Sequence, residues 1–185
     1  MTAHLRPAAV LLLLFTLLLG LAYPLAMTGI ARALLPWQAQ GSAVLAGGRV
    51  VGSALIGQAF GRPGYFHPRP SASSYDGMAS GGSNLGPLSQ KLMDHRVAGD
   101  VAATGLAAPV PADAVTASAS GLDPDITPAN ARAQVARVAA ARGLPEAEVA
   151  ALVAAQTEGR LLGVIGEPRV NLLALNLALD KLAAK

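Results

Sequence analysis

From Pro7 to Ala31 the chain reads PAAVLLLLFTLLLGLAYPLAMTGIA, a run without a single charged residue. Roughly 20 apolar residues suffice to cross the hydrocarbon core of a bilayer, so the run predicts a transmembrane helix. A cleaved signal peptide is the rival reading. His4 and Arg6 supply a basic start, and Gly20-Leu21-Ala22 offers small residues for cleavage. The apolar sequence nevertheless continues past that point to Ile30, which favours a retained anchor. Thr16, Gly20, Tyr23 and Met27 recur at spacings of four, three and four, which assigns them to one face of an α-helix as helix-contact candidates. Small residues let helices approach closely in lipid, and hydroxyls can bond across the contact. The chain has 185 residues. The remainder, about 150 residues, suffices for one modest domain. The expected organisation is an N-terminal tail and anchor over 1–34 and a single soluble domain over 35–185.

Orientation is not settled by the distribution of basic residues, because Arg6 flanks one end of the run and Arg32 and Arg49 the other. Tyr23 and Trp37 suit the interfacial level at the outer end, favouring a cytoplasmic N-terminus and an exported domain.

Composition excludes several functions for that domain. The formal charge is only +3 and the basic residues are scattered singly, which argues against a nucleic-acid groove. Aromatic residues make up 4%, too few for a series of base-stacking platforms. Cysteine is absent, which removes disulfides, thiolate metal sites and a cysteine nucleophile. Histidine occurs only as His4, His67 and His95, and with His4 beside the anchor no histidine metal cluster is expected.

Patterning predicts an α+β fold. Arg49 to Phe60 is rich in branched residues and interrupted by glycines, as in one or two short strands or a bulged strand. Residues 61–90 are so dense in Gly and Pro that only a long loop fits. Residues 97–112 read as a loose connection, and Asp113 to Ser118 as a short strand. Thr127-Pro128 caps and starts a helix carrying Val135 and Val138, which ends before Gly143. Pro145, Glu146 and Glu148 open a second, with Val149, Leu152 and Val153 inward. Asn171 caps a last helix that is apolar nearly all round and therefore buried.

Catalytic patterns are weak. Ser120, His67 and Asp123 are the parts of a hydrolase triad, but no GxSxG elbow links them. Ser80-Gly81-Gly82-Ser83-Asn84-Leu85-Gly86 has the glycines of a phosphate-cradling loop. Pro87 and Leu88 then stand where a Walker A loop needs Lys and Ser or Thr. No acidic residue is set to receive a phosphoryl group, so ATP hydrolysis by this chain alone is not expected.

Three stretches together resemble the KdpC family, the C subunit of the bacterial potassium-transporting P-type ATPase. They are Tyr65-Phe66-His67-Pro68-Arg69-Pro70-Ser71-Ala72 leading to Tyr75 and the Ser80–Pro87 loop; Ser118 to Pro124; and Gly163 to Asn171 with Leu175-Asn176-Leu177. Only residues 93–112 stand outside the likeness. The resemblance implies a non-catalytic accessory subunit of a four-part complex. Its partners would be a channel-like subunit that selects potassium, a P-type subunit that hydrolyses ATP, and a small membrane subunit. Potassium and ATP would be handled by those partners, with no cofactor or metal bound here. The implied role is to support assembly and to raise ATP affinity. An exported domain could do the latter only indirectly, whereas a cytoplasmic one could use Ser80, Gly81, Gly82, Ser83 and Asn84. Tyr65, Phe66, His67, Arg69, Ser120, Asp123, Arg169 and Asn171 are the partner-interface candidates. Tyr65, Phe66 and Arg69 are residue types that anchor interfaces. Completion of a small core is the alternative use of Tyr65 and Phe66. A membrane-anchored or secreted hydrolase or binding protein is the competing function.

Overall fold

The structure is a computed structural model that describes residues 4–93 and 98–183, so His95 lies outside the described residues. The chain divides between Ala43 and Val44 into two compact units.

The first unit is dominated by a continuous helix, Leu5–Leu34, of mean hydropathy 2.4 and wholly unburied. Thirty residues rising 1.5 Å each span about 45 Å, more than the roughly 30 Å hydrocarbon core. It comprises α1 (Leu5–Leu17), a π-helical turn (Leu18–Ala22) and α2 (Tyr23–Leu34). Pro24 explains the widened turn. It has no N–H to offer Gly20, and its ring would crowd that carbonyl in a regular α-helix. The Tyr23 N–H is donated instead to the Leu18 carbonyl, five residues back. Thr16 lies on α1, Gly20 in the π-helical turn, and Tyr23 and Met27 on α2. Beyond Leu35, α3 (Pro36–Ala39) carries the exposed Trp37.

The second unit is α+β. β1 (Ala43–Ala46) and β2 (Arg49–Ser53) form a two-stranded hairpin. Gly47 and Gly48, with φ of +58° and +78°, make the two-residue turn that only residues tolerant of the left-handed region can make. The predicted strand region thus holds one regular strand, and its partner β1 lies upstream of it. A three-stranded antiparallel sheet, in the order β3-β5-β4, is built from β3 (Asp125–Ile126), β4 (Thr157–Glu158) and β5 (Arg169–Asn171). Ile126 and Thr157 both pair with Val170, which is fully buried.

Two expectations are corrected. The stretch read as a loose connection contains α4 (Ala98–Thr104), and the stretch read as a short strand begins with α5 (Ala112–Val115). Val115 and Thr116 have strand-like side chains, but position overrides propensity here. The Asp113 carboxylate accepts from the Thr127 N–H (2.8 Å), the Thr127 hydroxyl (3.0 Å) and the Asn130 amide (3.1 Å), pinning this turn to the start of the next helix.

The three predicted helices are present. In α6 (Pro128–Arg142) the Thr127 hydroxyl accepts from the Asn130 N–H at 3.1 Å, and Gly143 takes φ +65° beyond the last turn. α7 (Glu146–Ala155) follows, and α8 (Leu172–Ala183) starts where Asn171 Oδ1 accepts from the Ala174 N–H. One core gathers Val135 and Val138 from α6, Val149 and Val153 from α7, Val170 from β5, Leu172, Leu175 and Leu179 from α8, and Phe66 from the long loop.

Candidate functional site

A loop of Pro and Gly has few partners of its own, so its backbone groups must be satisfied from elsewhere. In residues 63–67 the helices supply side chains in place of a neighbouring strand. Asn176 Oδ1 accepts from the Phe66 N–H (2.9 Å) while its amide donates to the Phe66 carbonyl (3.0 Å). Gln134 does the same for His67, at 2.7 and 3.1 Å. Arg137 donates two bonds of 3.1 Å to the Tyr65 carbonyl, and Arg142 Nε donates to that of Gly64 at 2.7 Å.

The Tyr65 hydroxyl donates to Asp180 (3.1 Å), which also pairs with Arg142 (2.8 Å), and the Arg142 guanidinium stacks 4.5 Å from the Tyr65 ring centroid. Phe66 is fully buried, so its ring belongs to the core and offers no surface. Burial, then the charge of Arg137, holds the His67 pKa below its ordinary 6.5, against the opposing bond of its ring to the Arg62 carbonyl.

Further along, the loop lies against Ser118 to Asp123. The Ser118 N–H donates to the Pro70 carbonyl (3.0 Å), the Gly81 N–H to the Ser120 carbonyl (2.8 Å) and the Ser71 hydroxyl to the Gly121 carbonyl (2.7 Å). The Tyr75 hydroxyl donates to the Arg69 carbonyl at 2.6 Å, and burial raises its pKa to about 12. These backbones touch because glycine permits it. A Cβ on Gly82 would sit 2.8 Å from the Ala119 carbonyl oxygen, and one on Gly121, itself at φ +69°, 2.6 Å from that of Gly81. Of the glycines in the supposed phosphate cradle, Gly82 thus serves packing, while Gly81 and Gly86 have open space where a Cβ would stand. Ser80 donates to the Ser120 carbonyl, Ser83 is half-buried, and the exposed Asn84 takes a left-handed φ of +53°.

Arg69, Asp123 and Arg169, predicted from three distant stretches, meet at one charged cleft of about 160 Å³, lined also by Asp113, Asp125 and Glu167. Arg69 pairs with Asp123 at 2.8 Å, and Arg169 bridges Asp125 (3.2 Å) and Glu158 (2.9 Å). Asn171 steadies the cleft by donating to Asp125 (3.2 Å) and to the Ala54 carbonyl (3.0 Å). Desolvation raises the Asp125 pKa, opposed by the Asn171 hydrogen bond and by Arg169. The cleft thus presents charges of both signs that are paired within the fold. The Ser120 hydroxyl contacts that of Ser118 (3.1 Å) and accepts from the Leu122 N–H, while the His67 ring is bonded to Arg62, so the triad parts are engaged elsewhere. Among the described residues no group of three or more His, Cys, Asp or Glu is placed to hold a metal ion.

Sequence reasoning missed Asn130, Gln134, Arg137, Arg142 and Asp180, and gave Asn176 no role of its own. The available signal was the amide of Asn176 on a helix read as apolar all round, since a buried amide requires partners.

The family model described as "KdpC: K+-transporting ATPase, c chain" matches residues 5–181. A protein of Allorhizobium ampelinum named potassium-transporting ATPase KdpC subunit is 64% identical, over 100% of this chain and 99% of its own length. Proteins of the same name from Caulobacter vibrioides (61%, over 97% of this chain and 94% of the relative) and Cereibacter sphaeroides (57%, over 100% of both) are similar too. With the match running from the start of the apolar helix into the last turn of α8, and with the three diagnostic stretches folded onto one another, the chain belongs to the KdpC family.

Proposed function

We propose that this chain is the membrane-anchored accessory subunit of a potassium-transporting ATPase complex, that it performs no chemistry itself, and that it acts by placement. It holds a channel-like subunit and an ATP-hydrolysing P-type subunit together, beside a small membrane subunit, and raises the affinity of the P-type subunit for ATP. Potassium and ATP are handled by those partners.

The observation that carries this reading is the combination of a bilayer-length apolar helix with a domain in which Ser120, His67 and the cleft residues Arg69 and Arg169 are each bonded within the fold. Such a domain is built to present a shaped surface. The names of the relatives, each a subunit of a potassium-transporting ATPase, support the complex to which that surface belongs. The N-terminus faces the cytoplasm and the domain lies outside. Its effect on ATP is therefore an allosteric coupling through the membrane partners, and by linkage nucleotide binding tightens this subunit's hold on the complex equally.

The test is to purify the complex from cells with and without this chain. Without it a smaller fraction of the remaining subunits should co-purify, and in that fraction the ATP concentration for half-maximal potassium-stimulated hydrolysis should rise about fivefold or more, the low end of typical couplings. Intact assembly with an unchanged ATP dependence would overturn the reading.

A further inference from the structure

The connection from β4 to β5 ends in a small hairpin whose apolar side chains face water. Leu161, Leu162, Val164 and Ile165 are 67, 84, 75 and 57% exposed. Single exposed leucines are ordinary, but a contiguous group on one protruding tip marks a contact surface. The tip is also rigid. Leu161 and Ile165 exchange backbone hydrogen bonds of 2.9 and 3.0 Å, and the Gly163 and Val164 N–H groups close the turn onto the Arg160 and Leu161 carbonyls. Arg160 clamps the base, with Nη2 at 2.8 and 2.7 Å from the two carboxylate oxygens of Glu167. Gly163 and Gly166 take φ of +77° and +80°, where glycine is at ease. Leu162, at φ +53°, is held in a region that side chains disfavour.

We infer that this tip is a preformed hydrophobic plug that seats in an apolar recess on a protein partner of the complex, an inference that rests on the accessory-subunit reading. Charge selects the occupant. Attachment to a lipid surface uses free Lys or Arg for anionic headgroups and aromatic residues for the interfacial level. Here Arg160 is neutralised by Glu167 and Arg169 by Asp125 and Glu158, and no aromatic or other basic residue lies between them. A neutral, rigid, aliphatic projection complements a neutral apolar pocket, and its rigidity lowers the entropy lost on docking.

The test uses the whole complex, captured through a tag on the ATP-hydrolysing subunit, with Leu162→Glu and Val164→Glu versions of this chain. The retained fraction of each variant should fall about tenfold or more, the scale of a central interface residue. Leu162→Gly covers the risk that a charge disturbs folding. It relieves the left-handed strain while removing the side chain, so it should leave thermal unfolding unchanged or raised and still weaken retention. Retention of all three within twofold of the unmodified chain overturns the inference. Failure of the unmodified chain to be retained would instead sink the accessory-subunit reading.

A Val164→Cys chain bearing an environment-sensitive dye identifies the occupant, because the protein has no other cysteine. A blue shift that appears only when partner subunits are added supports the inference. A shift in the chain alone in lipid nanodiscs assigns the tip to lipid, and one that depends on the chain's own concentration assigns it to a second copy. Either result overturns it.

Discussion

Asn176 and Gln134 do for the loop what a neighbouring strand does in a sheet: each offers one acceptor and one donor to the two polar groups of a single residue. Asn176 is 1% exposed, so its truncation leaves the Phe66 N–H and carbonyl without partners in a dry interior. Asn176→Ala is expected to destabilise the domain by about 2–4 kcal/mol, read by urea unfolding, at one to two kcal/mol for each orphaned group. Asn176→Asp keeps the acceptor and loses the donor, and should be destabilising as well.

His67 adds a pH dependence whose sign follows from its burial. Its folded pKa lies below the ordinary 6.5, so between that lowered value and 6.5 the unfolded chain binds more protons than the folded one. Stability from this residue is therefore present above pH 6.5 and is lost as the pH falls through the folded value. His67→Gln should flatten that part of the stability profile, measured by thermal unfolding across the acid range.

At the scale of elements, helix ends and close backbone contacts dominate. Thr127 has a double role, since its hydroxyl caps α6 through the Asn130 N–H and donates to Asp113. Thr127→Ala is expected to cost about 1–2 kcal/mol, the upper range for a lost cap. Gly121 faces a harder constraint, because a Cβ there meets Ser73 Oγ at 2.4 Å and the Gly81 carbonyl oxygen at 2.6 Å in a left-handed residue. Gly121→Ala should cost about 2 kcal/mol or more and loosen the corner that aligns Asp123 with Arg69. Faster hydrogen exchange of the Ser118 and Gly81 N–H groups, which bond across that corner to the Pro70 and Ser120 carbonyls, is the readout. The helices α6, α7 and α8 were legible because caps, prolines and glycine stops are local chemistry. α5 was not, since its Asp113 is fixed by residues 14 and 17 positions away.

For the whole molecule the side of the membrane decides how any effect on ATP is transmitted. The absence of cysteine makes this directly measurable. Leu88 is 98% exposed, so a Leu88→Cys chain should fold normally and report topology cleanly. Labelling by a membrane-impermeant maleimide in intact cells is the expected result for an exported domain. Labelling only after the membrane is opened would place the domain inside and allow direct contact with nucleotide.

The apolar run and the helix caps were determined by the sequence alone, because bilayer length and capping act within one turn or one segment. The resemblance of three stretches likewise placed Arg69, Asp123 and Arg169 among the residues to watch. Only the tertiary structure decided that these meet in one cleft, that Phe66 is core, and that Gly82 serves packing. Each of those outcomes depends on contacts between residues dozens of positions apart, where the approach of two backbones or the burial of an amide is a property of the folded chain.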